Sequence, residues 1–307
     1  MRVKKVATAV AAVGLAAAAS GCSSVLPGGG EQPPPEQGPT IVASTTQTAD
    51  FAQQVLGDRG RVVGLLQPNQ SPHHHEVTPS DLTNIAQAGI VVHGGAGSTD
   101  SWLPKAVSSA GYQGAQVDAA AGTKLRKRVK NGKEEDDPHL WHDPENAKVM
   151  VRNIAQAAEA ADPGHKDQYE RNTTAYLGRI DEMEQHTRQE LATVPPDQRK
   201  LVTTHGAFGY YADRYGLELV GSVIPSFDDR AEQSSQQIDA FVQKLRDTRS
   251  KAIFTEATIP PNVVRAVAEQ AGVRVVSDPL YSDNNAPGMD YLATETHNSD
   301  VITANLK

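Results

Sequence analysis

Between Asp162-Pro163-Gly164 and Pro195-Pro196 the chain runs from His165 to Thr193 without a proline. Its single Gly178 is tolerable in a helix, and Tyr169, Tyr176, Leu177, Ile180, Met183 and Leu191 recur sparsely at helical spacing. At 1.5 Å per residue this predicts a helix of about 40 Å, the height of a whole domain. A long polar helix of this kind is a stiff connector, better suited to joining two bodies than to hinging them widely. The paired prolines end it and open the second of those bodies.

On both sides of the connector, short apolar runs alternate with helical ones. Thr40 to Ser44, Gly60 to Leu66, Ile90 to His93 and Ala115 to Val117 read as strands, with helices at Ala49 to Leu56, Pro79 to Gln87 and Trp102 to Ala110. Ser80, after Pro79, reads as a helix start. Pro144 to Ala161 is a further helix, with Asp143 and Asn146 read as starting it. Beyond the connector, Lys200 to Thr204, Leu217 to Gly221, Ala252 to Thr255 and Val273 to Ser277 read as strands, and Gln233 to Thr248 and Pro260 to Ala271 as helices. The rhythm predicts an α/β fold: two Rossmann-like lobes with mostly parallel sheets, residues 40–162 and 195–307, joined by one long rigid backbone helix at 163–194.

Met1 to Lys5 carries three basic residues and Val6 to Ala19 is weakly apolar throughout, the pattern of an export signal over residues 1–21. The apolar run of roughly 14 residues is shorter than the about 20 needed to span a bilayer. It ends at Ala19-Ser20-Gly21-Cys22, which resembles a bacterial lipobox and implies cleavage before Cys22 and lipid attachment through its sulfur; the departure is Ala19, where Leu is usual. The alternative is an ordinary cleaved signal with a free cysteine. Residues 22–39, rich in Ser, Gly, Pro, Gln and Glu, read as a flexible tether between that anchor and the folded body. Cys22 is the only cysteine, so no disulfide forms within the chain. A formal net charge of −8 without a clustered basic face argues against nucleic acid as a partner.

Three histidines stand in particular settings: His73 in Ser71-Pro72-His73-His74-His75-Glu76, His139 in Asp137-Pro138-His139-Leu140-Trp141-His142, and His205 in Thr204-His205-Gly206-Ala207-Phe208. Imidazole is the commonest metal ligand near neutral pH, so a fold that gathers these three would build one metal site. His93, His165, His186 and His297 read as surface or structural residues.

From about Thr40 to the C-terminus these motifs resemble the metal-specific solute-binding proteins of bacterial ABC importers, the zinc and manganese class, in its zinc type. The resemblance implies two α/β lobes on one backbone helix, with the metal between the lobes at strand ends. The family's first ligand is the His of a Pro-His pair six residues before a helix-opening Pro. Pro72-His73 with Pro79-Ser80 selects His73 over His74 and His75. Its second is the His of Pro-His-x-Trp before a Pro, here His139 with Pro144. Its third precedes Gly-Ala-Phe-Gly-Tyr, here His205, a station where zinc members tend to carry His and manganese members Glu. Its fourth is an Asp in a Tyr-Ser-Asp turn, here Asp283, with Asp278 of Asp278-Pro279-Leu280 as the rival. His142 falls where the family usually has an apolar residue. Glu256 matches a family Glu at a strand end and reads as holding the interlobe cleft by hydrogen bonds. The charged stretch 124–137 occupies the place of a metal-gathering loop but contains no histidine; it reads as a solvated loop, the alternative being that its Glu134-Glu135-Asp136-Asp137 run attracts cations weakly.

Three imidazoles and a carboxylate suit Zn²⁺, whereas Mn²⁺ prefers more oxygen. The resemblance therefore implies a monomeric, non-enzymatic protein, held outside the cytoplasm on the membrane by a lipid anchor, that captures Zn²⁺ and delivers it to a membrane permease and its ATPase. Alternatives are transport of manganese or another divalent metal, a zinc hydrolase with Glu76 or Glu256 as base, and a metal-binding surface adhesin.

Overall fold

Ile41, Val42 and Ala43 are apolar in succession, as a strand must be when both faces of its sheet are covered. Ile41 and Ala43 enter one core cluster and Val42 another, because successive side chains leave opposite faces. This strand, β1 (Thr40–Ala43), begins the computed structural model, which describes residues 38–307 apart from 95, 97, 98, 131 and 132. The expected signal segment, Cys22 and nearly all of the tether lie outside the described residues.

After β1 come α1 (Thr46–Leu56), β2 (Arg61–Gly64), α2 (Pro79–Ala86), β3 (Ile90–His93), α3 (Leu103–Ser109) and β4 (Ala115–Asp118). The strands form one parallel sheet in the order β2-β1-β3-β4. Thr78, not Ser80, starts α2: its side chain accepts from Asp81 N while Asp81 accepts from Thr78 N, a reciprocal cap that places Pro79 at the first helical position.

The charged stretch folds as an antiparallel hairpin, β5 (Lys127–Lys130) and β6 (Lys133–Asp136), in place of the expected loop. Its charges face each other across the strands: Lys127 binds Glu134 at 3.0 Å and Arg128 binds Glu135 at 2.6 and 2.9 Å. Acidic groups engaged in this way are poorly placed to gather cations.

Asp143 caps α4 (Pro144–Ala161), accepting from Glu145 N. Asn146 instead bonds the backbone of Lys124. The connector is α5 (Lys166–Ala192), which buries Tyr169, Tyr176, Ile180, Met183 and Leu191. Then follow β7 (Lys200–His205), α6 (Gly209–Tyr215), β8 (Glu218–Ile224), α7 (Ser235–Asp247), β9 (Ala252–Glu256), α8 (Asn262–Ala271), β10 (Arg274–Leu280) and α9 (Tyr291–Leu306). β7 pairs parallel with β8 and β9 with β10, and Thr204 Oγ1 links β7 to Phe254 O of β9 at 3.2 Å. Leu201, Phe254 and Val276 face one core while Val202 and Ile253 face another, the same two-sided burial as in the first lobe.

The connector is accompanied by α9. Tyr291 and Leu292 at its start pack into the first lobe's core, and Val301, Ile302 and Leu306 at its end into the second's. The two lobes are therefore bound by a pair of helices, and wide hinging is disfavoured by more than the stiffness of α5. Among the described residues no helix is long and apolar enough to cross a membrane.

Candidate metal centre

Each of the four expected ligands stands where a regular element has just ended or is about to begin. His73 lies in the 3₁₀ turn Pro72–His74 beyond β2, a turn tied down by Trp102 Nε1, which donates to Pro72 O at 3.1 Å. His139 follows the hairpin and leads into the turn Leu140–His142 ahead of α4. His205 is the last residue of β7. Its successor is a glycine for a steric reason, since a Cβ on Gly206 would stand 2.8 Å from Ser226 O. Asp283 lies just beyond β10.

The four side chains meet, with one donor atom from each lying within 4.8 Å of the others. His139 Nε2 is 3.2 Å and His73 Nε2 3.6 Å from Asp283 Oδ1, His205 Nε2 is 3.6 Å from Asp283 Oδ2, and the Nε2 atoms of His139 and His205 are 3.3 Å apart. Side-chain exposure is 2% for His73 and 0% for the other three, so water does not compete from outside.

Behind two of the imidazoles stand further carboxylates. Asp137 Oδ1 accepts from His139 Nδ1 at 2.9 Å and from its backbone N at 3.1 Å. Glu256 accepts from His205 Nδ1 at 2.5 Å and from its backbone N at 2.8 Å. An ionised carboxylate only accepts, so in each ring the hydrogen sits on Nδ1 and Nε2 is left to face the centre. Glu256 thus orients His205 through both of its oxygens and does not bridge the cleft.

Three buried carboxylates around three imidazoles make a centre that demands positive charge. Burial alone would lower the pKa of His205, but the charges of Glu256 and Asp283 raise it to about 9. His139 is raised as well, burial being outweighed by Asp137 and Asp283. Burial pushes Asp283 up, yet His205, His139 and His73 hold it well below the usual carboxylate range. Without metal, protons on imidazole supply the missing positive charge.

The loop carrying Asp283 is fastened to the first lobe. Ser282 O accepts from Trp141 Nε1 at 3.1 Å and from His142 Nε2 at 3.0 Å, Asn284 Nδ2 donates to Gln70 O at 2.7 Å, and Asn285 N donates to Thr46 Oγ1 at 2.8 Å. The centre of imidazole and carboxylate is thus buried and closed between two parallel-sheet lobes.

Residues 41–305 match the family model described as zinc-uptake complex component A, periplasmic. The chain belongs to this family. Curated relatives include the manganese ABC transporter substrate-binding lipoprotein PsaA of Streptococcus mitis, 25% identical over 87% of this chain and 88% of that protein. The metal ABC transporter substrate-binding lipoprotein FimA of Streptococcus parasanguinis is 27% identical, and the iron ABC transporter substrate-binding lipoprotein MtsA of Streptococcus pyogenes serotype M1 26%, each with the same coverage. Among solved structures, the periplasmic zinc-binding protein TroA from Treponema pallidum superposes with a TM-score of 0.81 at 23% identity, covering 88% of this chain and 99% of that one, which shows the shared fold. Membership makes the protein the metal-binding component of an ABC-type metal importer, a component that works with a membrane permease and an ATPase and is not an enzyme.

The remaining candidates separate cleanly. Asp278, the rival fourth ligand, is outside the cluster: its side chain is 64% exposed and its neighbour is His297 at 3.8 Å. His142 is buried, stacked on Phe208 and bonded through Nδ1 to Glu295 as well as to Ser282 O. His75 packs on Trp102 and contacts Asp81 at 3.1 Å. His93, His165, His186 and His297 pair with Gln116, Asp162, Asp300 and Pro279 O, all away from the centre. The support from Asp137 and the bond from His142 to Ser282 O are not marked in the sequence. Asp137 stands two residues before His139, where the sequence shows it as one charge of an acidic run.

Proposed function

We infer that the protein captures Zn²⁺ through His73, His139, His205 and Asp283 and yields it to the permease for import. The observation that carries this reading is the convergence of three Nε2 atoms on one buried carboxylate, with Asp137 and Glu256 fixing two of the rings from behind. A tetrahedral ion with Zn–N bonds of 2.0–2.1 Å separates its ligands by about 3.3 Å; the His139–His205 spacing is 3.3 Å, and the three imidazoles stand 3.2 to 3.6 Å from one or the other oxygen of Asp283. Three nitrogens to one carboxylate favour Zn²⁺ over the harder Mn²⁺. The relatives named for manganese and iron favour a second reading, a carrier of manganese or iron at the same residues.

In this reading residues 1–21 direct export, Cys22 carries the lipid anchor, 22–39 tether the body outside the cytoplasm, and a single copy presents the cleft between lobes 40–162 and 195–307, joined by 163–194. The curated relatives named as lipoproteins support the anchor. Titration of metal-stripped protein with Zn²⁺ against a competing chelator tests the site. One tight equivalent, lost in His139→Ala and weakened in Asp283→Ala, is expected. Tight Zn²⁺ binding untouched by His139→Ala, or tighter binding of Mn²⁺ than of Zn²⁺, overturns the reading.

A further inference from the structure

A second group of ligating side chains stands next to the first. His74 Nε2 lies 2.9 Å from Asp228 Oδ1 and 3.1 Å from Asp229 Oδ1, and the three donor atoms fall within the span of a single coordination sphere. An imidazole Nε2 carries at most one hydrogen, and here it bonds Asp228 Oδ1. Asp229 Oδ1, on a side chain only 3% exposed, has no hydrogen bond although it faces the same nitrogen. A buried carboxylate oxygen without a donor is costly, and one aimed at a shared focus with a second carboxylate and an imidazole is satisfied by a cation.

We propose that His74, Asp228 and Asp229 bind a second divalent cation, of the same class as the inner centre's, on that centre's solvent side. His74 is the peptide neighbour of His73, with ring centroids 6.4 Å apart, so the two sites abut. Yet His74 is 27% and Asp228 48% exposed, against 0–2% for the inner four. One nitrogen and two oxygens leave coordination positions for water, which makes this the weaker and more rapidly exchanging site and one less selective between Zn²⁺ and Mn²⁺. The existence of the site does not depend on the inner assignment; only its description as the outer of a pair rests on that reading.

The test is the stoichiometry and affinity of Zn²⁺ binding by equilibrium dialysis and calorimetry, with folding checked by circular dichroism. The unsubstituted protein is expected to take a tight and a weak equivalent, Asp228→Asn and Asp229→Asn to lose the weak one while the tight one stays within about threefold, and His139→Ala to lose the tight one and keep the weak. Asp228→Asn changes a half-exposed side chain and guards against misfolding at the buried Asp229. A protein that takes one equivalent only, or a weak equivalent that survives both aspartate substitutions, overturns the proposal. A tight equivalent that survives His139→Ala but vanishes with Asp229→Asn would sink the inner assignment and leave this site standing.

Discussion

The inner centre and the outer cluster are built from the same two residue types, a few ångströms apart, yet they differ in what lies behind the ligands. Asp137 and Glu256 hold His139 and His205 by Nδ1 and also accept the backbone N–H of the same residue, so ring and main chain are fixed together. His74 has its acidic partners in front, at Nε2, where they are ligands and not supports. Support from behind goes with a buried cluster, and attraction from the front with one that is partly open to solvent.

The largest effect separating the two should be that of pH on the inner site. Its His205, raised to about 9, is cationic at neutral pH and must lose a proton to bind metal. Between pH 8 and pH 6 the tight equivalent should weaken by about 100-fold for one displaced proton, and calorimetry in buffers of different ionisation heat should report proton release at pH 7. The metal-free protein should show the opposite trend. A histidine raised from about 6.5 unfolded to about 9 folded stabilises the fold fully below pH 6.5, and that contribution disappears as pH rises through 9, so the thermal midpoint of the apo form should fall over this window.

Next in size is Glu256→Gln. The amide has one acceptor oxygen for two N–H groups of His205, which drives the ring towards the tautomer with its hydrogen on Nε2. Tight Zn²⁺ affinity should drop 10–100-fold while the weak equivalent is unchanged. Equal losses at both sites would erase the contrast between support from behind and attraction from the front.

The smallest effect expected is that of Trp141→Phe, which removes one of two hydrogen bonds to Ser282 O and leaves that of His142. About 1 kcal/mol, or a several-fold loss of affinity read by chelator competition, is expected from a looser Asp283 loop. No change would mean that His142 and the contacts of Asn284 and Asn285 hold the loop unaided.

Much of this is legible in the chain. The alternating apolar runs foretell strands with helices on both faces, and the resemblance to the family's motifs points to His73, His139, His205 and Asp283, the four side chains whose ligating atoms the fold brings within 4.8 Å of one another. What escapes has physical reasons. Helix α9 carries no amphipathic stripe, since Thr294, Glu295, Asn298, Ser299 and Thr303 are buried along with its apolar residues. Asp137, Glu256 and His142 act through partners that only the tertiary fold reveals. Asp228 and Asp229 lie some 154 positions from His74 in a loop with no motif of its own, so nothing local marks them as its partners.

Three imidazoles and Asp283 are proposed to form the metal's coordination sphere. X-ray absorption at the zinc edge of protein loaded with one equivalent tests it directly. Three nitrogens at 2.0–2.1 Å with imidazole multiple scattering and one carboxylate oxygen are expected, the imidazole count falling to two in His205→Ala. A sphere dominated by oxygen, or one unchanged by His205→Ala, would rule this set of ligands out.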